Sequence, residues 1–446
     1  MTLILPPSYL ELPAKFYKES RPEVYPDPRI VVYNDTLAKQ LGMDIKDPQI
    51  LSGSIITAGS NPIALGYAGH QFGHYTSLGD GRAILLGEFL STEGKKFDIQ
   101  LKGSGRTFFS RRGDGKATLG PMLREYLISE AMAALGIPTT RCLAVLTTGE
   151  TVNRYTYEPG AILVRIASSH LRVGTFEFAS EDQIQNLSDF SISRHFPFLI
   201  ERKNKYSLFL DEIIKRQASL VASWMSIGFI HGVMNTDNVA LSGETIDYGP
   251  CAFMNQYDPA TVYSSIDKNG RYCFGNQPNI MQWNLARFAE TLIPILSDNN
   301  EQGIKIATEL VNIFPQYFNQ SLEDKMKEKL GGSIEYLSKL YEWMYQNQAD
   351  YTNTFSSLNL NNTDIKDDKF KKWHQDWRKT ALNEPINNKV IPRNQRVEEA
   401  LSAAVINNDY NLFFDLLDII QHPFDNPPVK YTTSHEPDGY CTFCGT

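Results

Sequence analysis

The sequence predicts an α+β protein with a small, strand-rich amino-terminal lobe and a larger, mainly helical carboxy-terminal lobe. Between residues 61 and 105, two β-rich runs, AILLGEF and KKFDIQLKG, flank the turn-forming segment LSTEG, a pattern that indicates a hairpin. From about residue 280 onward, segments such as QWNLARFAETLIPIL have helical character. A chain of 446 residues can hold one large two-lobed domain or a few small ones.

The composition is that of a soluble globular protein, with 42% hydrophobic and 21% charged residues. A net charge of −8 argues against a nucleic-acid partner, because nucleic-acid-binding domains are usually basic, although a local basic pocket for phosphate remains compatible with it.

The amino terminus does not read as a signal peptide, and no apolar stretch approaches the roughly 18 residues of a membrane helix. Five cysteines in so long a chain indicate a reducing compartment. We therefore expect a cytoplasmic protein without a membrane partner.

Four segments follow from the pattern of the chain. Residues 1–60 are punctuated by prolines and are expected to form an extension that packs on the core, with a short helix at NDTLAKQLGM. Residues 61–180 are expected to form the strand-rich lobe: a hairpin, a helix in PMLREYLISEAMAALGIP, and two further strands in RCLAVLTTGETV and AILVRIA. Residues 181–430 form the helical lobe, which includes the helix IIKRQASLVASWMSIG. Residues 431–446 have the composition of a flexible tail that contains a Cys-x-x-Cys pair.

The stretch GFIHGVMNTDNVALSGETIDYGP, residues 228–250, has the spacing of a kinase catalytic loop with one change. A kinase loop reads His-x-Asp, four residues, Asn, and a following Asp-x-Gly binds magnesium. His231, Asn238 and Asp247 occupy the corresponding positions, whereas Val233 stands where the catalytic base belongs. Asn238 and Asp247 lie on either side of VALSGETI, which we expect to be a short strand pair that brings their oxygens to one magnesium ion. Motif and element order together predict a protein-kinase-like, bilobal fold.

A lysine and a glutamate precede this motif in the order found in kinases. Lys102 ends a predicted strand in which apolar residues alternate with polar ones, so its side chain points away from the apolar face. Glu125 lies on the next helix, 23 residues later. An ammonium held by a carboxylate can be directed at nucleotide phosphates. An isolated pair of this kind is more often a surface ion pair of little value; the order relative to the metal motif is what favours a functional pair.

Two glycine-containing loops are candidates for nucleotide contacts. LGDGRA places Gly79, Gly81 and Arg82 just before a strand, where bare backbone N–H groups can approach a phosphate. A second Gly-Asp-Gly, residues 113–115, is followed by Lys116 ahead of the helix. Either motif alone is weak evidence, since most such motifs are turns.

Two arginines are further candidates. Arg165 lies within the apolar strand AILVRIA, where a buried guanidinium needs an anionic partner. Arg172 follows in SSHLRVG. The guanidinium fork suits phosphate oxygens, and a structural salt bridge is the alternative for each residue.

Several longer stretches resemble one known family, the selenoprotein O family of pseudokinases. They are YAGHQFGHYTSLGDGRAILLGE, DIQLKGSGRTFFSRRGDGKATLGPMLREYLISEAM, RVGTFEF, HGVMNTDN and IDYGPCAFM. The likeness runs from about residue 60 to 290 and continues around IPRNQRVEEA and the tail.

The resemblance implies a kinase-like fold that binds ATP, with Mg²⁺ or Mn²⁺, in a flipped orientation. It implies transfer of AMP to Ser, Thr or Tyr hydroxyls of proteins, with release of pyrophosphate. It also implies a role for each matching residue: Lys102, Arg165 and Arg172 on the phosphates, Glu125 paired with Lys102, Gly79, Gly81, Arg82, Asp114 and Gly115 as further nucleotide contacts, Asn238 and Asp247 on the metal, and Asp237 as proton acceptor. With ATP reversed, a base at Val233 would be misplaced, and Asp237 is the only carboxylate in the loop that could take the hydroxyl proton.

Cys441 and Cys444 match the terminal redox motif of this family. A structural metal site would need a second pair of ligands, and the sequence has none. The resemblance implies pairing of a tail cysteine with one in the kinase-like lobe, for which Cys273 and Cys251 are both candidates. An idle tail is the alternative.

Two other functions remain alternatives to AMP transfer. A kinase-like phosphotransferase would share the His-Gly opening of the loop, but it would keep an Asp where this chain has Val233. A non-catalytic, ATP-binding scaffold would have no need to retain Lys102, Glu125, Asn238 and Asp247 together.

Overall fold

The computed structural model describes residues 4–154, 156–361, 363, 365–434 and 439–443. The strands β1 to β12, in chain order, are Tyr17–Glu19, Arg29–Tyr33, Ile63–Leu65, Ala68–Gln71, His74–Ser77, Ala83–Leu90, Lys96–Lys102, Ala117–Thr118, Arg141–Asn153, Tyr157–Ala167, Phe229–Ile230 and Ala252–Phe253. The helices α1 to α15 are Asp35–Leu41, Pro48–Leu51, Leu119–Ala134, Val173–Phe178, Glu181–His195, Lys205–Ser226, Gln277–Leu296, Asn300–Val311, Phe314–Lys329, Leu337–Gln346, Tyr351–Ser356, Asp368–Trp377, Asn394–Asn407, Asn411–Gln421 and Val429–Thr432.

One antiparallel sheet dominates the amino-terminal half. Its strand order is β1-β3-β6-β7-β10-β9-β2, and β8 pairs with β10. The predicted hairpin is confirmed as β6 and β7, whose register pairs Leu90 with Lys96 and Ala83 with Lys102. Strands β1 and β2 come from the first 60 residues, so this segment contributes strands to the sheet, and its predicted short helix is confirmed as α1.

The two faces of the sheet carry different side chains because residues alternate along each strand. On the outer face, Ile99 and Leu101 of β7 join a hydrophobic cluster with residues of α1 and α2. On the inner face, Asp98, Gln100 and Lys102 are all buried. The prediction that Lys102 points away from the apolar face is confirmed. A strand with three buried polar residues on one face needs partners there, and these partners build the site.

Helix α3 covers the inner face of the sheet. Its predicted start near Pro121 and its end before Gly136 agree with the structure, in which Gly136 has a φ of +72°. Leu123 and Leu127 pack into the main core together with residues of α6 and α7. Arg124 is buried and donates to the backbone oxygen of Cys251 at 2.7 Å and to Glu398 on α13 at 3.0 Å. Helix α3 is therefore bound to both halves of the molecule.

The carboxy-terminal half is mainly helical, from α5 through α15, and the segment with the kinase-like spacing lies between β11 and β12. The result is the α+β arrangement that the sequence predicts, with a strand-rich amino-terminal part and a mainly helical carboxy-terminal part. The prediction of a strand pair in VALSGETI is wrong. Ala240 forms a single bridge to Arg172, and Thr245 forms another to Thr139, so this segment pairs with distant chain rather than with itself. In the part of the chain that the structure describes, no helix is both long and apolar enough to cross a membrane.

Candidate active site

The lysine–glutamate pair predicted from chain order is formed and buried. Lys102 Nζ lies 2.6 Å from Oε2 of Glu125, which α3 presents beneath the end of β7. The other oxygen, Oε1, accepts from Nε of Arg165 at 3.2 Å and from the Nη2 of the same residue. Burial tends to raise the pKa of Glu125, but the charges of Arg165 and Lys102 hold it below its usual value. The carboxylate therefore stays ionised and fixes both cations.

Asp247 completes this group of charges. Its Oδ1 accepts from Lys102 Nζ at 2.9 Å. Burial tends to raise its pKa, but Lys102, Arg165 and Arg82 hold it far below the usual value for an aspartate. The backbone of Asp247 has a φ of +68°, a left-handed conformation uncommon for residues other than glycine and typical of functional sites. The buried ring of His231 contacts the backbone oxygen of Ile246 through Nε2 at 3.0 Å and so supports this turn.

The loop before Asp247 presents Asn238 and keeps Val233 out of the site. Thr236–Asn238 form a short 3₁₀ helix. Asn238 donates through Nδ2 to the backbone oxygen of Val233 at 3.0 Å, which leaves its Oδ1 for another partner. The side chain of Val233 belongs to the main hydrophobic core. At the position where a kinase keeps its base, this protein therefore has a core residue.

Asp237 is the carboxylate of this loop and is only 8% exposed. Its Oδ1 is buried and has no hydrogen-bond partner among the described residues. Burial raises its pKa to about 6, with Arg172 acting in the opposite direction. A carboxylate with a raised pKa and an unsatisfied oxygen can accept a proton near neutral pH.

Arg172 lies directly behind this carboxylate. Its Nη1 donates to the backbone oxygen of Asp237 at 3.1 Å and its Nε to that of His170 at 3.3 Å. The guanidinium carbon lies 4.4 Å from the ring centre of Tyr67. Stacking and hydrogen bonding hold the guanidinium plane in one orientation.

The two glycine loops need glycine for steric reasons. Gly79 has a φ of +134°, and a Cβ there would lie 2.4 Å from the ring of Phe109. Gly115 has a φ of +72°, and a Cβ would lie 2.0 Å from the backbone oxygen of Gly105. Both loops therefore pack more tightly than any side chain would allow.

These residues converge on one cavity of about 660 Å³. Every residue predicted to contact nucleotide or metal lines it, and so does Asp237, whereas Glu125 lies behind Lys102. The predicted residues on the wall are Gly79, Gly81, Arg82, Lys102, Asp114, Gly115, Arg165, Arg172, Asp237, Asn238 and Asp247.

Comparison with known proteins assigns the family. The family model described as "Protein adenylyltransferase SelO" matches residues 1–421. The chain belongs to the SelO family. A protein nucleotidyltransferase YdiU from Lachnoclostridium phytofermentans is 49% identical, with 98% of both chains covered. One of the same description from Halalkalibacterium halodurans is 48% identical, over 98% of this chain and 96% of the relative. The resemblance noted in the sequence is thus confirmed.

Among solved structures, ROP2 from Toxoplasma gondii, described as a virulence factor with a protein-kinase fold and no enzymatic activity, is 11% identical. The match covers 56% of this chain and 87% of that one, with a TM-score of 0.26. A score this low supports no comparison of sites or activities.

Several residues of the cavity wall were not among the predicted site residues, among them Tyr67, Asp80 and Arg154. Arg154 forks onto Asp114, with Nη1 at 2.8 Å and Nη2 at 2.9 Å from its two oxygens. Arg154 lies where β9 ends, and a charged residue beside a turn is normally solvated. Only the pairing of β9 with β10 brings it over the second glycine loop, so its role follows from the fold and not from local sequence.

Of the predicted tail, the structure describes residues 431–434 and 439–443, and Cys444 lies outside the described residues. Thr442 donates through its backbone N–H to Tyr263 at 2.7 Å and through Oγ1 to Pro250 at 2.5 Å. This part of the tail is thus bound beside the segment that follows Asp247. The four described cysteines, Cys142, Cys251, Cys273 and Cys441, are all free thiols.

Proposed function

We propose that this protein transfers AMP from ATP to Ser, Thr or Tyr hydroxyls of proteins and releases pyrophosphate. The observation that carries the proposal is the position of the loop carboxylate, which differs from that of a kinase base. Val233 is buried in the core where a kinase base would stand, whereas Asp237 lines the cavity. Membership of a family of protein adenylyltransferases supports the same reaction.

The proposed phosphate site is the group of cations on the cavity wall. Lys102, Arg165 and Arg172 are buried residues that line this wall. Guanidinium and ammonium groups in a site of low dielectric stabilise a polyphosphate strongly. We assign the phosphates of an inverted ATP to these three residues, and the remaining nucleotide contacts to the glycine loops with Arg82 and Asp114.

The residues present also fit a divalent cation. Among the described residues, no three His, Cys, Asp or Glu side chains converge to hold a metal by themselves. Asn238 and Asp247 supply an amide and an ionised carboxylate on the same wall, which is the partial set that Mg²⁺ accepts when phosphate and water complete its shell. When bound, Mg²⁺ or Mn²⁺ would neutralise charge on the phosphate oxygens.

In the proposed reaction, the acceptor hydroxyl oxygen bonds to the α-phosphorus of ATP. The bond from that phosphorus to the bridging oxygen of pyrophosphate breaks, and the hydroxyl proton passes to Asp237. Lys102 and the two arginines stabilise the charge that accumulates on the departing pyrophosphate. Phosphoryl-type transfer depends mainly on positioning and charge neutralisation, so the charged wall is expected to matter more than the base. The cytoplasm is the proposed setting, in accord with the sparse use of cysteine.

Separately labelled ATP tests the proposal. The protein is incubated with Mg²⁺ or Mn²⁺ and with ATP labelled at either the α- or the γ-phosphate, alone and with a proteome extract as acceptor. We expect α-label to appear on protein. Mapping of the adducts by mass spectrometry is expected to find AMP on Ser, Thr or Tyr residues. Transfer of γ-label alone would restore a kinase reaction. Binding of ATP without transfer of either label would indicate a scaffold.

A further inference from the structure

The stretch YAGHQFGHYTS has no part in the nucleotide cavity apart from Tyr67, although it is long and distinctive. It folds into the hairpin of β4 and β5, which stands apart from the main sheet. This hairpin lies against α4 and against the 3₁₀ helix Thr236–Asn238, which contains Asp237. Its contacts therefore bear on the residue that is proposed to take the acceptor proton.

Three side chains join the hairpin, α4 and the loop. Glu177 of α4 accepts through Oε2 from the Thr236 hydroxyl at 2.5 Å, and its Oε1 lies 2.5 Å from Nδ1 of His70. The backbone N–H of His70 donates to the Thr236 oxygen at 2.7 Å. The Thr236 hydroxyl thus both donates and accepts, and the Glu177 side chain is almost fully buried. A closed set of short hydrogen bonds between three elements holds its members in one arrangement.

The hairpin also holds the residue before Thr236. The Oδ1 of Asn235 accepts from the backbone N–H of Phe72 at 3.0 Å and from the hydroxyl of Tyr272 at 2.6 Å. Phe72 has a φ of +51°, an uncommon conformation that puts its N–H in this position. Both residues that precede Asp237 are therefore bound to the hairpin backbone.

The carboxylate of Asp237 lies in a slot that Gly69 leaves open, the Gly69 slot. A Cβ on Gly69 would lie 2.2 Å from Oδ1 of Asp237. A Cβ on Gly174 would lie 2.0 Å from the backbone oxygen of Ala68 and 3.3 Å from Cα of Asp237, so the backbone of Asp237 is also closely packed. The Gly69 slot has no room for a methyl group, and the position of the carboxylate therefore depends on the backbone of the hairpin.

We propose that His70, Glu177 and Thr236, together with the Gly69 slot, are positioning residues that fix the Asp237 carboxylate for the acceptor hydroxyl. None of these four residues lines the cavity in which the nucleotide is proposed to bind. Loss of the set is therefore expected to lower kcat for transfer and to leave the affinity for ATP unchanged. The inference rests on the proposed role of Asp237 in AMP transfer.

Four variants test the set, each by kcat and KM for ATP, nucleotide affinity by calorimetry, and melting temperature. Gly69→Ala pushes a methyl group into the carboxylate, and a displacement of about 1 Å is expected to cost about 100-fold in kcat. Glu177→Gln keeps the size but removes one of the two acceptor oxygens, and Thr236→Val removes the hydroxyl; both are expected to lower kcat about 10-fold or more. Thr236→Ser restores the hydroxyl and is expected to restore most of the rate.

Two matched controls separate positioning from general damage. Glu181→Gln makes the same change at an exposed site four residues from Glu177. Gly120→Ala adds a methyl group that meets only Val405 Cγ2, at an ordinary distance of 3.5 Å. Both are expected to transfer AMP like the wild type.

The results distinguish the inference from the function on which it rests. If the wild type transfers α-label and Glu177→Gln and Gly69→Ala transfer it equally well, the inference is wrong and the proposed function stands. A loss of kcat that follows melting temperature across all variants, or equal rates for Thr236→Ser and Thr236→Val, would also overturn the inference. If the wild type binds ATP but transfers no α-label, the proposed function is wrong, and the inference fails with it.

Discussion

The inner face of β7 carries two groups of buried charges that differ in what completes them. At one end, Lys102 belongs to the site cluster, which we define as Lys102, Glu125, Arg165 and Asp247 and which opens onto the cavity. At the other end, four residues earlier, Asp98 belongs to the Asp98 cluster, which we define as Tyr9, Glu88, Asp98, His170 and Arg194.

Protein donors alone fill the Asp98 carboxylate. Asp98 Oδ1 accepts from Arg194 at 2.7 Å. Its Oδ2 accepts from the Tyr9 hydroxyl at 2.8 Å, from the backbone N–H of His170 at 3.0 Å, and from Nδ1 of the same residue at 2.9 Å. Burial lowers the pKa of His170, so its ring donates as a neutral group. With four donors, the Asp98 carboxylate is fully paired.

The site cluster, by contrast, opens onto the cavity of about 660 Å³ that the predicted site residues line. Lys102, Arg165 and Asp247 all line the cavity, and about a quarter of the Asp247 side chain is exposed. We therefore expect the two groups to differ in role. The filled Asp98 carboxylate is expected to stabilise the fold, and the site cluster is expected to bind nucleotide and metal. Substitutions in the two clusters should therefore affect different measurements.

The largest effect is expected for Asp247→Ala. It removes the ionised carboxylate assigned to the metal and is expected to lower AMP transfer at least about 1,000-fold, because a bound metal contributes several kcal/mol to transition-state stabilisation. The melting temperature should change less than for a substitution at Asp98, since water in the cavity can solvate Lys102. Asp298→Ala, at an exposed position, serves as the control. Transfer at the wild-type rate by Asp247→Ala would contradict the assignment.

The next effect is on stability. Asp98→Ala leaves Arg194 buried without one of its two carboxylates and removes the acceptor of Tyr9 and His170. Loss of one partner from a buried ion pair typically costs about 3–5 kcal/mol in free energy of unfolding. Urea denaturation of the wild type, Asp98→Ala and Asp298→Ala would measure this. A cost below about 1 kcal/mol would show that the Asp98 cluster is not what holds this end of the sheet to α5.

A smaller loss of activity is expected for Asp237→Asn. The substitution keeps the size of the side chain but removes its basicity, and the loss of a general base typically costs about 100-fold or more. ATP affinity should not change. Unlike Asp98, Asp237 has a buried oxygen without a donor, so its neutralisation should also not lower the melting temperature. A matching loss of ATP affinity, measured by calorimetry, would place Asp237 in nucleotide binding instead.

The smallest effect concerns pH. Burial tends to raise the pKa of Asp98, but Arg194 and His170 hold it below its usual value. A carboxylate whose pKa is lower in the folded state stabilises the fold above its unfolded pKa of about 3.9, and this contribution is lost as the pH falls through the folded value. The stability difference between the wild type and Asp98→Asn should therefore shrink as the pH is lowered from about 5 to about 2. A difference that stays constant over this range would contradict the lowered pKa.

The sequence was sufficient to predict the parts of this molecule that depend on local order. Alternation along FDIQLK predicts that Asp98, Gln100 and Lys102 share a face, and the order of Lys102, Glu125 and the metal motif predicts that Lys102 pairs with Glu125. Sequence could not tell which end of this face binds a ligand, because that depends on which distant groups arrive there. Tyr9 and Arg194 fill one end from 89 and 96 residues away.

The errors and omissions have the same origin. VALSGETI has the composition of a strand pair, but Ala240 and Thr245 each find a partner in distant chain, at Arg172 and Thr139. Arg154 contacts Asp114 because the pairing of β9 with β10 places it over the second glycine loop. Arg165 was open to two interpretations, a phosphate ligand or a structural ion pair. It pairs with Glu125 and also lines the cavity, so the two are compatible.

The attachment of α3 bears on how this protein can be regulated. In protein kinases, movement of the corresponding helix forms or breaks the lysine–glutamate pair and so turns activity on and off. Here Arg124, the neighbour of Glu125, is bound to the backbone of Cys251 and to Glu398 of α13, and α3 packs against α13 and α14. An outward swing of α3 would have to carry two carboxy-terminal helices with it. We therefore expect the Lys102–Glu125 pair to stay formed, and control over the reaction to depend on access of nucleotide and acceptor rather than on movement of α3.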